Sequence, residues 1–256
     1  MNSAPRRAWV VNRVRTFRQE MGWDEAGPAP VDALCERYGV ALRWGPESEM
    51  GRDGAWTAPC SSGYLTVLNP RFRDFQGRLR WTKSHELMHA VVLGHLAEYS
   101  VSNVTHAQER VLCREADIGA AELLLPEAGL RAVIRRELCD AANNGLLPHE
   151  IGKLKGCFGV SWEALFLRLD ELNIQSRRVS SALFRIYEDS SFRGDAAWVI
   201  ARAWKIIGAR DPEWLDSNVA SANISANNDW LAAYREDPAL RLDFPPRWNP
   251  PRSRRA

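Results

Sequence analysis

The stretch that most constrains this fold is Trp81-Thr82-Lys83-Ser84-His85-Glu86-Leu87-Met88-His89. Residues four apart on an α-helix share a face, one turn apart. His85 and His89 can therefore aim two imidazoles at one cation. Glu86 is then placed to act as general base on a water held by that cation, the arrangement of the His-Glu-x-x-His zinc signature. A bland reading exists: two histidines at this spacing can be a polar patch on a surface helix. Leu87, Ala90, Val91, Val92 and Leu93 surround them, however, which marks the helix as largely buried. Buried histidines and a buried carboxylate need partners, and a metal supplies one.

A two-histidine zinc site needs a third protein ligand and an open position for water. The candidates lie on the next helix. Thr105-His106-Ala107-Gln108 has the form of a capping box. The helix it opens carries Val111, Leu112, Ile118, Ala121, Leu123 and Leu124, and Pro126 follows its end. Glu115 and Glu122, seven apart, share one of its faces, and Asp117 lies roughly opposite Glu115. His95 and His106 are alternatives in the intervening segment. His95 has the spacing of a third metzincin histidine, but that motif also needs glycine where Val92 stands. A glutamate on the next helix is preferred, and spacing alone leaves Glu115 and Glu122 both open. Tyr64, His95, Tyr99 and His106 are candidate donors to an oxyanion, with no signal that selects one.

The remaining elements follow from periodicity. Residues 5–21 read as an amphipathic helix with Trp9, Val10, Val14, Phe17 and Met21 at three- and four-residue spacings, ended by Gly22. Val31 to Tyr38 is a short helix. Val40 to Trp44, Gly54 to Thr57 and Gly63 to Leu68 read as strands, the last two separated by a Pro-Cys-Ser-Ser turn region. The metal helix runs to Leu93, with Gly94 as its cap. Helices follow over 127–142, 148–157 and 162–172, then 195–208, 212–219 and 229–235. The expected class is α+β: a minimal zincin-like domain, with a small antiparallel sheet packed on the metal helix, followed by a mostly helical C-terminal region. The divisions are 1–126 for the core, 127–176 for a helical packing region of the same domain, 177–237 for a helical extension and 238–256 for a tail.

From about Pro30 to Asn173 the chain resembles the ImmA/IrrE family of metallopeptidases. The resemblance rests on Pro30-Val31-Asp32, Gly54-Ala55-Trp56, Val67-Leu68-Asn69, and Arg80 followed by His85-Glu86-Leu87-Met88-His89. It continues through Glu115-Ala116-Asp117 and Ala120-Ala121-Glu122-Leu123-Leu124-Leu125-Pro126. It implies one Zn2+ per chain on His85, His89 and Glu115, with Glu86 as catalytic base and Glu122 as a supporting or structural residue. Mn2+ and Fe2+ also suit two histidines and a carboxylate. The implied substrate is a helix-turn-helix repressor, cut to induce phage, mobile-element or stress genes. The sequence departs from the usual family pattern in three places. Met88 stands where Gly is usual, Gly119 where an aromatic is common, and Lys83-Ser84 replaces a more apolar pair.

Charge argues little for nucleic acid. The net charge is +2, and residues 238–256 hold five Arg and one Asp of that balance. Residues 148–172 have the outline of a helix-turn-helix, but Glu163, Asp170 and Glu171 on its second helix suit phosphates poorly. Direct DNA binding is not expected. The alternative function is a non-proteolytic, metal-containing regulator that binds a repressor or DNA. Five scattered cysteines without a Cys-x-x-Cys pair fit a reducing cytoplasm. No apolar run reaches the length of a membrane span.

Overall fold

A computed structural model describes residues 3–23, 27, 29–50, 54–98, 104–138, 146 and 148–174, with positions 181, 182, 185 and 203. The helices expected over 195–208, 212–219 and 229–235, Ala203 apart, lie outside the described residues, as does the tail 238–256.

The chain is α+β. It opens with α1 (Ser3–Glu20) and α2 (Val31–Arg37), then β1 (Val40–Trp44), the short α3 (Glu47–Met50), β2 (Ala55–Cys60) and β3 (Gly63–Leu68). The metal helix follows as α4 (Gln76–Leu87), continued by a π-helical turn over Met88–Val92 and the short α5 (His95–Glu98). Then come α6 (His106–Leu124), α7 (Glu127–Glu137), α8 (Pro148–Phe158) and α9 (Trp162–Glu171).

The expected antiparallel sheet is in fact mixed. Its order is β1-β3-β2, with β1 parallel and β2 antiparallel to β3. The last strand in the chain, β3, thus lies between the first two. The central place goes to Tyr64-Leu65-Thr66-Val67-Leu68, the strand rich in the β-branched and aromatic residues that suit a pleated, half-buried surface. Strand β2 also runs further than the turn-like Pro-Cys-Ser-Ser stretch suggests. Pro59 and Cys60 pair with Tyr64 and Gly63, and the turn is Ser61-Ser62. Proline is tolerated there because β2 is an edge strand. Gly63, at φ +134°, lets β3 start against β1: a Cβ on it would lie 2.4 Å from the Gly39 carbonyl oxygen.

The core sits between α1, α4 and α6. Val10, Val14 and Phe17 recur at helical spacing on α1 and are buried. Trp9, expected on that face, instead points outward at 42% exposure, under the Arg6 guanidinium. Buried Ala116, Leu123 and Leu124 of α6 meet the same core. Beyond α6, the packing unit α8–α9 buries Phe158, Val160, Trp162, Leu165, Phe166 and Leu169. Ser161 caps α9 by accepting the Ala164 N–H. The inward face of α9 is committed to this core.

Candidate metal centre

Three elements converge on the His-Glu-x-x-His turn. The expected continuous α-helix gives way after Leu87 to a π turn, in which the Leu93 N–H reaches the Met88 carbonyl, five residues back, at 3.0 Å. His85 therefore stands on α-helical backbone and His89 on the wider turn; such turns are frequent at functional sites. Gly94, at φ +68°, ends the turn as expected. The Thr105–Gln108 capping box fixes the start of α6, which crosses alongside α4.

The Nε2 atoms of His85 and His89 face each other 3.1 Å apart. The other nitrogen of each ring is engaged. His85 Nδ1 meets Asp117 Oδ1 at 2.9 Å, and His89 Nδ1 meets His95 Nδ1 at 3.0 Å. If the Nδ1 atoms carry the protons, two lone pairs point at each other across the gap. That is unfavourable unless a proton or a cation lies between them. Burial works against charge on His85, but hydrogen bonds to Asp117 and Cys113 and the nearby charges of Asp117 and Glu86 outweigh it, raising its pKa to about 10. Burial, then the neighbouring His85 and His95, push His89 down to about 3. A proton is therefore favoured on His85 over His89.

The third convergent donor is Cys113. The donor atoms of His85, His89 and Cys113 all lie within 4.8 Å of one another, and no other group of three or more such residues gathers among the described residues. Two imidazole nitrogens and a thiolate suit zinc better than the harder manganese or magnesium. The donor set therefore fits a metal.

Glu115, the third ligand that the resemblance implies, is not brought into this group. Arg6 donates from Nε to Oε1 at 2.7 Å and from Nη2 to Oε2 at 2.8 Å, and His95 Nε2 lies 3.2 Å from Oε2. The cause is helical phase. Glu115 is two residues from both Cys113 and Asp117, roughly 160° around the helix from each. Burial pushes its pKa up, but Arg6 and His95 outweigh that and hold it below the usual carboxylate range.

Glu122 is a structural residue. It is 1% exposed, accepts from Arg15 Nε at 2.9 Å and pairs with the buried Arg168 of α9. Arg168 also donates to the Leu125 carbonyl at 3.0 Å, so this cluster ties α9 and α1 to the end of α6. His95 is 1% exposed and contacts His89 on the side away from His85. His106 is fully exposed beside Glu109, Tyr64 packs against the core, and Tyr99 lies outside the described residues.

Glu86 is buried at the floor of a cleft of about 540 Å³, lined by Trp56, Thr57, Arg78, Trp81 and the histidines. The Thr57 hydroxyl donates to Glu86 Oε2 at 2.7 Å. The Thr66 hydroxyl, 2.7 Å from Thr57 Oγ1, is left to donate to it. Edge strand β2 thus orients the carboxylate. Sequence reasoning missed Thr57, Cys113 and the role of Asp117. The signal for the last two was present: Glu109, Cys113 and Asp117 recur every four residues, one stripe facing the cleft.

Residues 51–170 match the family model Peptidase_M78, described as the IrrE N-terminal-like domain. No curated protein matches the chain.

Proposed function

Since residues 51–170 belong to the IrrE N-terminal-like peptidase family, we propose that this chain is a cytoplasmic, zinc-dependent endopeptidase that cuts a helix-turn-helix repressor. The observation that carries the metal part is the pair of Nε2 atoms facing each other at 3.1 Å beside the Cys113 thiol. His85, His89 and Cys113 would hold the ion. When bound, it supplies Lewis acidity, which polarises a peptide carbonyl and makes water acidic enough to lose a proton near neutral pH.

The chain's own residues do the rest. Glu86 takes the proton from the attacking water and returns it to the leaving amine. Thr57 fixes the carboxylate for both transfers. Asp117 and His95 hold the two rings in the tautomers that leave Nε2 free. Trp56 and Trp81 line the cleft with aromatic surface that suits apolar side chains of a polypeptide. Among the described residues, no helix is long and apolar enough to cross a membrane. The repressor is the substrate class implied by the family resemblance, and cutting it would make the enzyme a switch for the genes it silences.

The test compares new protein N-termini in cells expressing the wild type and Glu86→Gln. The expected result is one or a few cuts, in a helix-turn-helix protein, present with the wild type and absent with the variant. Broad cleavage of unrelated proteins would overturn the narrow substrate. Equal cleavage by Glu86→Gln would overturn the base.

A further inference from the structure

The metal cleft continues into a second cavity. It has a volume of about 480 Å³, lies between α4, α6 and α9, and shares Arg78, Trp81 and Asp117 with the cleft. That size falls within the range of ligand pockets, roughly 300–1,000 Å³. We infer that it is a specificity pocket for the polypeptide substrate, taking a large uncharged apolar side chain about three residues from the bond that is cut. The inference rests on the peptidase reading of the cleft.

The distance follows from the helices. Away from the metal donors, the lining runs back along α4 from His85 through Trp81 to Arg78, and forward along α6 from Cys113 through Asp117 to Ala121. His85 and Arg78 are seven residues apart, a rise of roughly 10 Å. An extended polypeptide covers that length in about three residues. Next to Arg78 and Ser161, α4 sits directly on the start of α9: a Cβ on Gly77 would lie 2.6 Å from the Ser161 backbone nitrogen. That contact bars a chain from running on between the two helices, so the cavity suits a side chain of a polypeptide held in the cleft.

The charge of the occupant follows from the lining. Arg7 pairs with Glu171, Arg78 lies 3.7 Å from Glu163, and Arg168 donates to Glu171 at 2.9 Å and pairs with Glu122. These charges answer one another, so a charged occupant would have to disturb a pair, whereas an uncharged one leaves them intact. The rest of the surface is apolar, formed by Trp81, Ile118, Ala121, Ala164 and Leu167. Ala121 and Ala164 are small and leave the room. Leu167 is 52% exposed and shares its face of α9 with Glu163 and Glu171, one turn away on either side. A single exposed leucine is ordinary, but this one lies where an entering side chain would cover it. Burying a large apolar side chain strengthens binding by roughly ten- to a hundredfold.

The experiment uses the full chain loaded with Zn2+ and, as probe, a library of peptides made by digesting a bacterial lysate. Mass spectrometry maps the bonds cut and the residues around them. The wild type should enrich large apolar residues at one position about three residues from the bond. Leu167→Glu, a change at an exposed site, should lose that enrichment and favour Lys or Arg there, with the other positions unchanged. Val111→Glu is the same kind of change at a site 53% exposed on α6 and outside the cavity, and should keep the wild-type profile. Binding is the second readout: the best-cut peptide, titrated into the Glu86→Gln chain, should bind at least about tenfold more weakly once Leu167→Glu is added. No apolar preference at that distance, or one that Leu167→Glu leaves intact, overturns the pocket while the peptidase stands. A profile that changes at every position together makes Leu167 a structural residue and also overturns it. A wild type that cuts no peptide sinks the peptidase reading, and the pocket with it.

Discussion

The Met88–Gly119 contact yields a prediction with a change of sign. Met88 and Gly119 are two of the places where this chain departs from the pattern of the family it resembles, and the structure makes them a single exchange. A Cβ on Gly119 would lie 2.6 Å from Met88 Sδ and 2.9 Å from its Cγ. The methionine, fully buried, fills space over the glycine. Gly119→Ala should gain about 1 kcal/mol of helix propensity but lose roughly 1–3 kcal/mol to overpacking. The net result is neutral to about 2 kcal/mol destabilising. Met88→Ala alone should cost about 2–5 kcal/mol through lost contacts and a cavity. With Met88 removed, the clash is gone, and the same Gly119→Ala should stabilise by about 1 kcal/mol or more. The coupling between the sites is thus of order 1–3 kcal/mol. Urea denaturation of the four proteins, followed by far-ultraviolet circular dichroism in chelator, measures it without a metal contribution. If Gly119→Ala has the same sign and size in both backgrounds, within about 0.5 kcal/mol, the two residues are independent and the reasoning fails.

Cys113→Ala should abolish stoichiometric zinc binding, and the Co2+-loaded wild type should show a sulfur-to-metal charge-transfer band that the variant lacks; a band retained in the variant would exclude Cys113 as a ligand. Glu122→Ala strands the buried Arg168 and should destabilise by about 3–5 kcal/mol, measured by the same urea titration, with an unchanged midpoint counting against the buried pair. Thiol labelling should separate Cys60 from Cys35. Cys60 is exposed with its pKa lowered by Ser62, whereas burial, then Asp32, push Cys35 up to about 12. For Cys35 the sign follows from the raised folded value: its contribution to stability is complete below the unfolded thiol pKa and fades as pH rises through about 12. Labelling at pH 8 mapped by mass spectrometry should find Cys60 modified first and Cys35 protected until unfolding; rapid native modification of Cys35 would refute this.

How legible a residue was depended on how local its reason is. His85, Glu86 and His89 could be read because one helical turn sets their relation. The Thr105–Gln108 cap and the Gly94 stop are equally local, and both stand as expected. The face that Cys113 shares with Asp117 is readable from their four-residue spacing, but that this face meets His85 and His89 depends on how α6 packs on α4. Thr57 could not be found that way: its partner Glu86 is 29 residues on, across a sheet-to-helix contact. Strand order failed for a related reason. Period-two patterning marks β1, β2 and β3 as strands but does not say which becomes central. The Met88–Gly119 exchange appears only once α4 and α6 are seen side by side.

The salt bridge between Arg6 and Glu115 spans 109 residues of sequence. Translation proceeds at about 5–20 residues per second, so α1 leaves the ribosome on the order of ten seconds before the helix it packs on. For that interval Val10, Val14 and Phe17 form an apolar stripe with no α6 to cover it. The nascent chain is therefore most exposed to chaperone capture, or to sticking to its neighbours, early in synthesis. Cys113 likewise can join His85 and His89 only after α6 has emerged.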